Sequence, residues 1–283
     1  MMKKTIYLLL ILLIVTSSFG CLNSKVSKSK QLTELGKNSY REKDYQQALI
    51  FFNEAVELDE NNKIAWAYKG ATHYFLGEYD KGIKAEDKAL ALDPNYADAY
   101  FWSGSSYNMK QEFHNAVIPL NKYLELNTTD YLTWESLGYT YYAINESDNA
   151  LFAFNKSLEI NPKSSDALSA IAAIYRDRRD LVNAVKYSKN ALKLNPDDWL
   201  AYNIIGTVYY LKEDYELALE NFDRAVKVYP YDLDNWKSKG DVEFRLKKYS
   251  DASNSYEKAL EISPESPVVL AKLGMTYFLP QSN

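Results

Sequence analysis

The chain has 283 residues, a net charge of −5 at pH 7 and a single cysteine. A mildly acidic chain is a poor candidate for nucleic-acid binding, which needs a basic surface, and one cysteine excludes an intrachain disulfide. The 10 glycines and 8 prolines are few beside 25 tyrosines. This composition favours long helices joined by short connections.

The first twenty residues have the pattern of an export signal. Lys3 and Lys4 precede an apolar run over residues 6–15, which is too short for a membrane span of about 20 residues. Ser18 and Gly20 then place small residues at the third and first positions before Cys21. We expect cleavage after Gly20 and therefore an exported protein.

Cys21 follows the predicted cleavage site directly. The segment resembles a bacterial lipoprotein signal, in which the cysteine becomes the acylated first residue; Gly20 and Cys21 match that pattern, whereas Ser18 and Phe19 depart from it. Two interpretations stay open: lipidation of Cys21, which would anchor the protein in a membrane, or ordinary cleavage that leaves a free thiol. Residues 21–28 are predicted to be a tether.

From residue 29 onward one pattern repeats every 34 residues. A glycine recurs with this spacing and is replaced once, by Ala172; the glycines are Gly36, Gly70, Gly104, Gly138, Gly206, Gly240 and Gly274. Aromatic or leucine, tyrosine, alanine and proline columns keep the same phase. Apolar residues at helical spacing, short turns such as 212–214 and a proline after the second segment predict antiparallel helix pairs.

These columns resemble the tetratricopeptide repeat (TPR) pattern. The resemblance implies an all-α, right-handed superhelical solenoid of antiparallel helix pairs, with seven full repeats and a C-terminal capping helix. The predicted repeats are 29–62, 63–96, 97–130, 131–164, 165–198, 199–232 and 233–266, and the capping half-repeat is 267–283. Two departures stand out: Glu86 occupies a column of large apolar residues, and Tyr123 occupies a column of small ones.

The resemblance also implies that the first helices of the pairs line a concave groove. The predicted peptide-binding residues in this groove are Tyr74, Phe101, Asn108, Tyr139, Tyr142, Asn203 and Tyr210. Rigid aromatic side chains with a polar tip bind peptide at low entropic cost, and Asn108 and Asn203 offer amides to a peptide backbone. The alternative is that the tyrosines only pack on neighbouring helices.

The capping helix keeps apolar residues where terminal repeats usually present a polar outer face. They include Val269, Met275, Phe278 and Leu279. Either the preceding repeat covers them, or they form an edge through which the protein forms a homodimer.

No pattern of catalysis, cofactor binding or metal ligation is present. Of the two histidines, His73 falls in the tyrosine column and is expected in the core, whereas His114 begins a second helix. The sequence therefore predicts a non-catalytic scaffold that needs no cofactor or metal and binds a peptide or helix of a partner protein. By analogy of architecture, the alternative is an envelope assembly factor, such as a pilus or secretin pilot or an outer-membrane biogenesis lipoprotein.

Overall fold

The computed structural model describes residues 23–278, and this range contains 15 helices and no strand. The helices fall into two units that divide between Thr133 and Trp134. The first unit contains α1 (23–41), α2 (Tyr45–Leu58), α3 (Lys63–Phe75), α4 (Tyr79–Leu92), α5 (Ala97–Met109), α6 (Phe113–Leu126) and the start of α7 (Tyr131–Ala143). The second contains the rest of α7, α8 (Ser147–Ile160), α9 (Ser165–Asp177), α10 (Leu181–Leu194), α11 (Trp199–Leu211), α12 (Tyr215–Val228), α13 (Leu233–Arg245), α14 (Tyr249–Ile262) and α15 (Pro267–Tyr277).

From α4 onward each helix begins 34 residues after its counterpart in the preceding pair. The predicted all-α fold of repeated helix pairs is therefore confirmed. Helix α1 already includes residues 23–28, so this part of the predicted tether is helical. Cys21 and the predicted signal lie outside the described residues.

Polar side chains and tight turns fix where the helices begin. Several helices start after a residue whose side chain accepts a hydrogen bond from a first-turn N–H, which satisfies a donor without an intrahelical partner; these residues are Asp44, Asn62, Ser164, Asp180, Asp198, Asp214 and Asp232. Within each pair the turn contains one residue with φ between 59° and 74°. That left-handed residue reverses the chain within three residues, as at Leu76–Glu78.

A glycine on the first helix of a pair lets a large side chain of the second helix cross it. A Cβ atom added at Gly138 would lie 2.7 Å from the ring of Phe154, which is too close for a carbon contact. The fifth repeat differs, because Ala172 replaces the glycine and the buried Ser188 replaces the large residue. Both residues of this pair are therefore small, and no large side chain crosses the first helix at Ala172.

In the second repeat, Glu86 holds the position of the large apolar residue and lies across Gly70. Its relative exposure is 0%, and neither carboxyl oxygen has a hydrogen-bond partner within the described part of the chain. Burial raises the pKa of Glu86 well above its ordinary value, and the charges of Asp98 and Asp87 raise it further. This departure from the repeat pattern therefore places an unpaired carboxyl in the core.

The capping helix α15 is buried on one side only. Val269 packs against Tyr256 and Ala259 of α14, whereas Met275 and Phe278 are 56% and 90% exposed. Leu279 lies outside the described residues. Within residues 23–278, every helix is too short or too polar to cross a bilayer.

Candidate functional site

Hydrogen bonds between polar side chains join the first helices of successive repeats. The fifth residue of a repeat usually bonds to the start of the next first helix: Thr33 accepts from Asn62 at 2.9 Å, and Ser169 donates to Asp198 at 2.7 Å. Asn203 likewise donates from its amide nitrogen to Asn235 at 2.6 Å. The bond uses one of the two N–H donors of the Asn203 amide, which leaves its second N–H and its carbonyl oxygen for the predicted role in peptide binding.

The second and third repeats break this rule. Their fifth residues are Ala67 and Phe101, which cannot form the bond. In the third repeat, the hydroxyl of Tyr123 donates instead to Asp130, at 2.9 Å, and Asp130 also accepts from Thr133 at 2.8 Å. Tyr123, which departs from the small-residue column, thus supplies the polar contact that Phe101 cannot make.

A cavity of about 340 Å³ opens where these two repeats depart from the pattern. We call it the aromatic pocket, because six rings line it: Tyr40, Tyr68, Tyr96, Phe101, Trp102 and Tyr123. The small side chains of Ala67 and Ala71 leave the space, and the carboxylates of Asp98 and Asp130 complete the wall. Helices α1, α3 and α5 supply most of the lining, so that first helices of three successive pairs build one site.

The rings hold one another in place. Tyr40 meets Tyr68 edge to face at 5.5 Å between centroids, and Phe101 lies 4.9 Å from Trp102 and 5.3 Å from Tyr123. Such geometries are favourable beyond the area that they bury. The pocket is therefore largely preformed.

The pocket carries negative charge. Asp98 and Asp130 line it together with no Lys, Arg or His, and Asp98 is exposed without a hydrogen bond or ion pair among the described residues. Burial, followed by the charge of Asp98, raises the pKa of Tyr96 to about 12; burial, followed by the bond to Asp130, raises the pKa of Tyr123 to about 12. Both phenols are consequently neutral at pH 7.

Of the predicted groove residues in the first unit, only Phe101 lines this pocket. Tyr74 packs against Trp102, with 5.1 Å between ring centroids, and Asn108 is half-buried in α5 and already has an interaction partner. The sequence prediction missed the other five rings and both carboxylates. The sequence did give one indication of this site at Tyr123. A bulky residue in a column of small residues cannot pack as its counterparts do, which indicates that the local helix packing differs there.

The predicted residues of the second unit occupy separate places. Tyr139 is 43% exposed and meets Phe154 edge to face at 5.0 Å, and the hydroxyl of Tyr142 donates to the carboxylate of Asp177. Tyr210 lines another cavity, of about 260 Å³, whose other lining residues are Asp241, Phe244, Arg245, Tyr256, Lys272 and Met275. In that cavity Lys272 donates to Asp241 at 2.6 Å, and Arg245 adds a second positive charge to the lining.

His73 has the core position that its column predicts. It is buried, its Nδ1 lies 2.7 Å from Oε2 of Glu78, and burial lowers the pKa of its imidazole. Across residues 23–278, no group of three or more His, Cys, Asp and Glu side chains is arranged to hold a metal ion.

Family models of the tetratricopeptide repeat match five segments of the chain. One model described as "Tetratricopeptide repeat" matches residues 69–131 and 170–232, and a second with the same description matches 32–62 and 132–164. A model described as "TPR repeat" matches residues 240–279. A human relative, small glutamine-rich tetratricopeptide repeat-containing protein beta, is 36% identical over 59 residues, which span 21% of this chain and 19% of the relative.

Solved structures show the same fold. A tetratricopeptide repeat protein from Parabacteroides merdae matches with a TM-score of 0.69 and 17% identity, over 89% of this chain and 99% of that one. PilF of Pseudomonas aeruginosa matches with a TM-score of 0.61 and 19% identity, over 80% of this chain and 100% of that one. MamA matches with a TM-score of 0.55 and 28% identity, over 57% of this chain and 94% of that one.

Proposed function

Because the chain belongs to the tetratricopeptide repeat family, we propose that it is a non-catalytic scaffold that binds a peptide or helix segment of a partner protein. Folds of this family are typically interaction scaffolds without catalytic activity. The observation that carries the proposal is the aromatic pocket, which three successive first helices open to solvent. Rigid aromatic side chains in a concave site are typical anchors for a partner.

The second unit has a proposed binding face of its own, formed by tyrosines. Tyr139, Tyr142 and Tyr210 all lie on first helices, α7 and α11, and none is fully buried. Tyrosine contributes a large contact area together with a hydroxyl that can bond a peptide backbone. We therefore propose that, in the second unit, a partner segment contacts the first helices α7 and α11.

Changing Tyr139, Tyr142 and Tyr210 to alanine is expected to reduce partner capture at least tenfold, because truncation of aromatic anchors commonly costs 1–2 kcal/mol or more each. The measurement is a pull-down from solubilised cell envelope with the full chain as bait and quantitative mass spectrometry of the bound proteins. Tyr231→Ala is the control, since Tyr231 is 75% exposed and lies in a turn outside the first helices. Equal capture by the triple variant and the wild type would contradict the proposed binding face.

We propose further that the protein is exported and anchored in a membrane through acylated Cys21. The basic residues, apolar run and Gly20–Cys21 junction of the sequence support this proposal. Mass spectrometry of the purified N-terminus is expected to find Cys21 as the first residue, with the added mass of acyl chains. A free thiol on Cys21 would overturn the anchor and keep export, whereas an intact Met1 would overturn both.

The narrower alternative is an envelope assembly factor of the pilus or secretin pilot type, or an outer-membrane biogenesis lipoprotein. The combination of a lipoprotein-like signal with a repeat array supports it, and the likeness to PilF concerns the fold alone at 19% identity. The same pull-down separates the two ideas. One defined secretion or pilus component favours the assembly factor, and several unrelated partners favour the general scaffold.

We also propose that the exposed face of α15 forms a homodimer edge. Met275 and Phe278 would be buried against a second copy, and their current exposure supports an apolar contact. Sedimentation is expected to show a dimer for the wild type and a monomer for the variant Met275→Ser, Phe278→Ser. A monomeric wild type at tens of micromolar would exclude this edge.

A further inference from the structure

We propose that the aromatic pocket recognises a cationic side chain, arginine or lysine, of the partner segment. The inference rests on the proposed scaffold function, because the partner must supply that side chain. It adds the type of side chain that the pocket binds, which the fold of the family does not specify.

The rings of the pocket form a cage suited to a cation. A cation is attracted to the face of an aromatic ring within about 6 Å of its centroid, and the attraction grows when water is excluded. Two of the pocket rings already make this contact with lysines of the chain itself. Nζ of Lys37 lies 5.7 Å from the centroid of Tyr68, and Nζ of Lys63 lies 5.5 Å from that of Tyr96.

The charge of the pocket is not balanced from within. Lys37 and Lys63 are not among the lining residues, and each has a carboxylate partner elsewhere, Glu34 at 2.8 Å and Asp93 at 2.5 Å. Asp98 is left without an ion pair among the described residues. An incoming cation would therefore gain both ring contacts and an unpaired carboxylate.

The size of the pocket fits one side chain. Its volume of about 340 Å³ is at the low end of ligand pockets, which run from roughly 300 to 1,000 Å³. The cavity beside Tyr210 differs in chemistry, because Arg245 and Lys272 line it and Asp241 is already paired. Of these two cavities, only the aromatic pocket combines rings and carboxylates with no Lys or Arg among its lining residues.

The test uses short capped peptides of glycine and serine with one central residue, which is arginine, its neutral isostere citrulline, lysine or norleucine. Binding to the full chain is followed by NMR of indole-labelled protein, with the Trp102 signal identified from Trp102→Phe. We expect the arginine and lysine peptides to bind at least tenfold more tightly than their neutral counterparts. Tetramethylammonium chloride is titrated in the same way, as a cation that is not attached to a peptide.

Two variants and one control locate the effect. Asp98→Asn is expected to weaken binding of the arginine peptide about threefold to tenfold, and Tyr123→Ala about fivefold. Tyr123→Ala should fold, because Ala89 and Ala191 hold the same column in other repeats. Asp166→Asn changes the same repeat position as Asp98, outside the pocket, and should leave affinity unchanged.

Citrulline or norleucine peptides that bind as well as the charged ones would overturn the proposal. So would binding of tetramethylammonium without binding of either cationic peptide, which would assign the site to a small free cation. Unchanged affinity in Asp98→Asn would also overturn it. If partner capture by the wild type persists in the pull-down while these tests fail, the scaffold function stands and only the cation specificity is lost.

Discussion

Replacing Phe154 with serine is expected to lower the free energy of unfolding by about 3–5 kcal/mol. Phe154 is fully buried and packs with Ala150, Ala167 and Ile171 of the second unit. Serine would leave a cavity and a buried hydroxyl in place of the ring. A large loss of stability is expected at such a position, because the ring packs between its own helix pair and the next one.

Adding Gly138→Ala to that variant is expected to recover part of the loss. Alone, the alanine Cβ would lie 2.7 Å from the Phe154 ring, so Gly138→Ala should cost about 1–3 kcal/mol from overpacking, partly offset by up to about 1 kcal/mol of helix propensity. With serine at 154 the same methyl group enters vacated space. The double variant should therefore be more stable than the sum of the single effects predicts.

The fifth repeat supplies the natural precedent for this exchange, since it pairs Ala172 with the buried Ser188. The reverse experiment serves as the control: Ser188→Phe should destabilise alone and be tolerated with Ala172→Gly. Urea titrations followed by circular dichroism give the cycle, analysed with nearest-neighbour coupling because repeat arrays need not unfold in one step. Strict additivity of the two changes would contradict the size-exchange account.

The repeat period made most of the fold predictable. A spacing of 34 residues, kept without insertion, fixes where each helix begins from α2 to α15. Columns of glycine and alanine mark where helices approach closely, and these are the positions that the structure buries. The positions of helices can be predicted well from a repeat spacing, because each repeat contacts mainly its neighbours.

The candidate site was less predictable than the fold. The repeat positions that line the groove in this family indicate which face binds a partner, but they do not show where a cavity opens on that face. The groove positions pointed to Tyr74 and Phe101, yet the cavity exists because Ala67 and Ala71 are small. Asn203 looked like a free amide, although a bond to Asn235 of the next repeat uses one of its two N–H groups. Such contacts between repeats depend on two positions about 30 residues apart, which a single column does not show.

The departures from the pattern were more informative than the matches. Glu86 and Tyr123 each break a column, and the structure buries the first across Gly70 and places the second in the wall of the aromatic pocket. Sites that violate local rules are expected where function sets the residue. We therefore expect the binding region at the irregular second and third repeats.

Replacing Glu86 with leucine is expected to raise the free energy of unfolding at pH 7.5 by about 1–3 kcal/mol, because a buried polar group without hydrogen bonds is destabilising by that amount. Leucine is already the residue of this column in the third repeat, where Leu120 lies against Gly104. The new side chain should therefore fit the space across Gly70. Urea titration of both proteins measures the difference.

The pH dependence tests the same carboxyl independently. Burial holds the pKa of Glu86 well above the ordinary value of 4.5 in the folded chain, so the folded state binds its proton more tightly than the unfolded state does. Between these two pKa values the folded state carries more protons, and the free energy of unfolding must fall as the pH rises through that range. Glu86→Gln, which stays neutral at every pH, should remove this decline.

Glu54→Gln is the matched control, because Glu54 is an exposed glutamate of α2, and it should keep the wild-type pH profile. If Glu86→Gln and wild type decline in parallel above pH 4.5, the carboxyl is not the buried, unpaired group described above. A leucine variant that is more stable yet binds the arginine peptide less tightly would mean that the acid is kept for recognition at the expense of stability. A leucine variant that is more stable and binds equally well would confine Glu86 to the core and leave the charge of the pocket to Asp98 and Asp130.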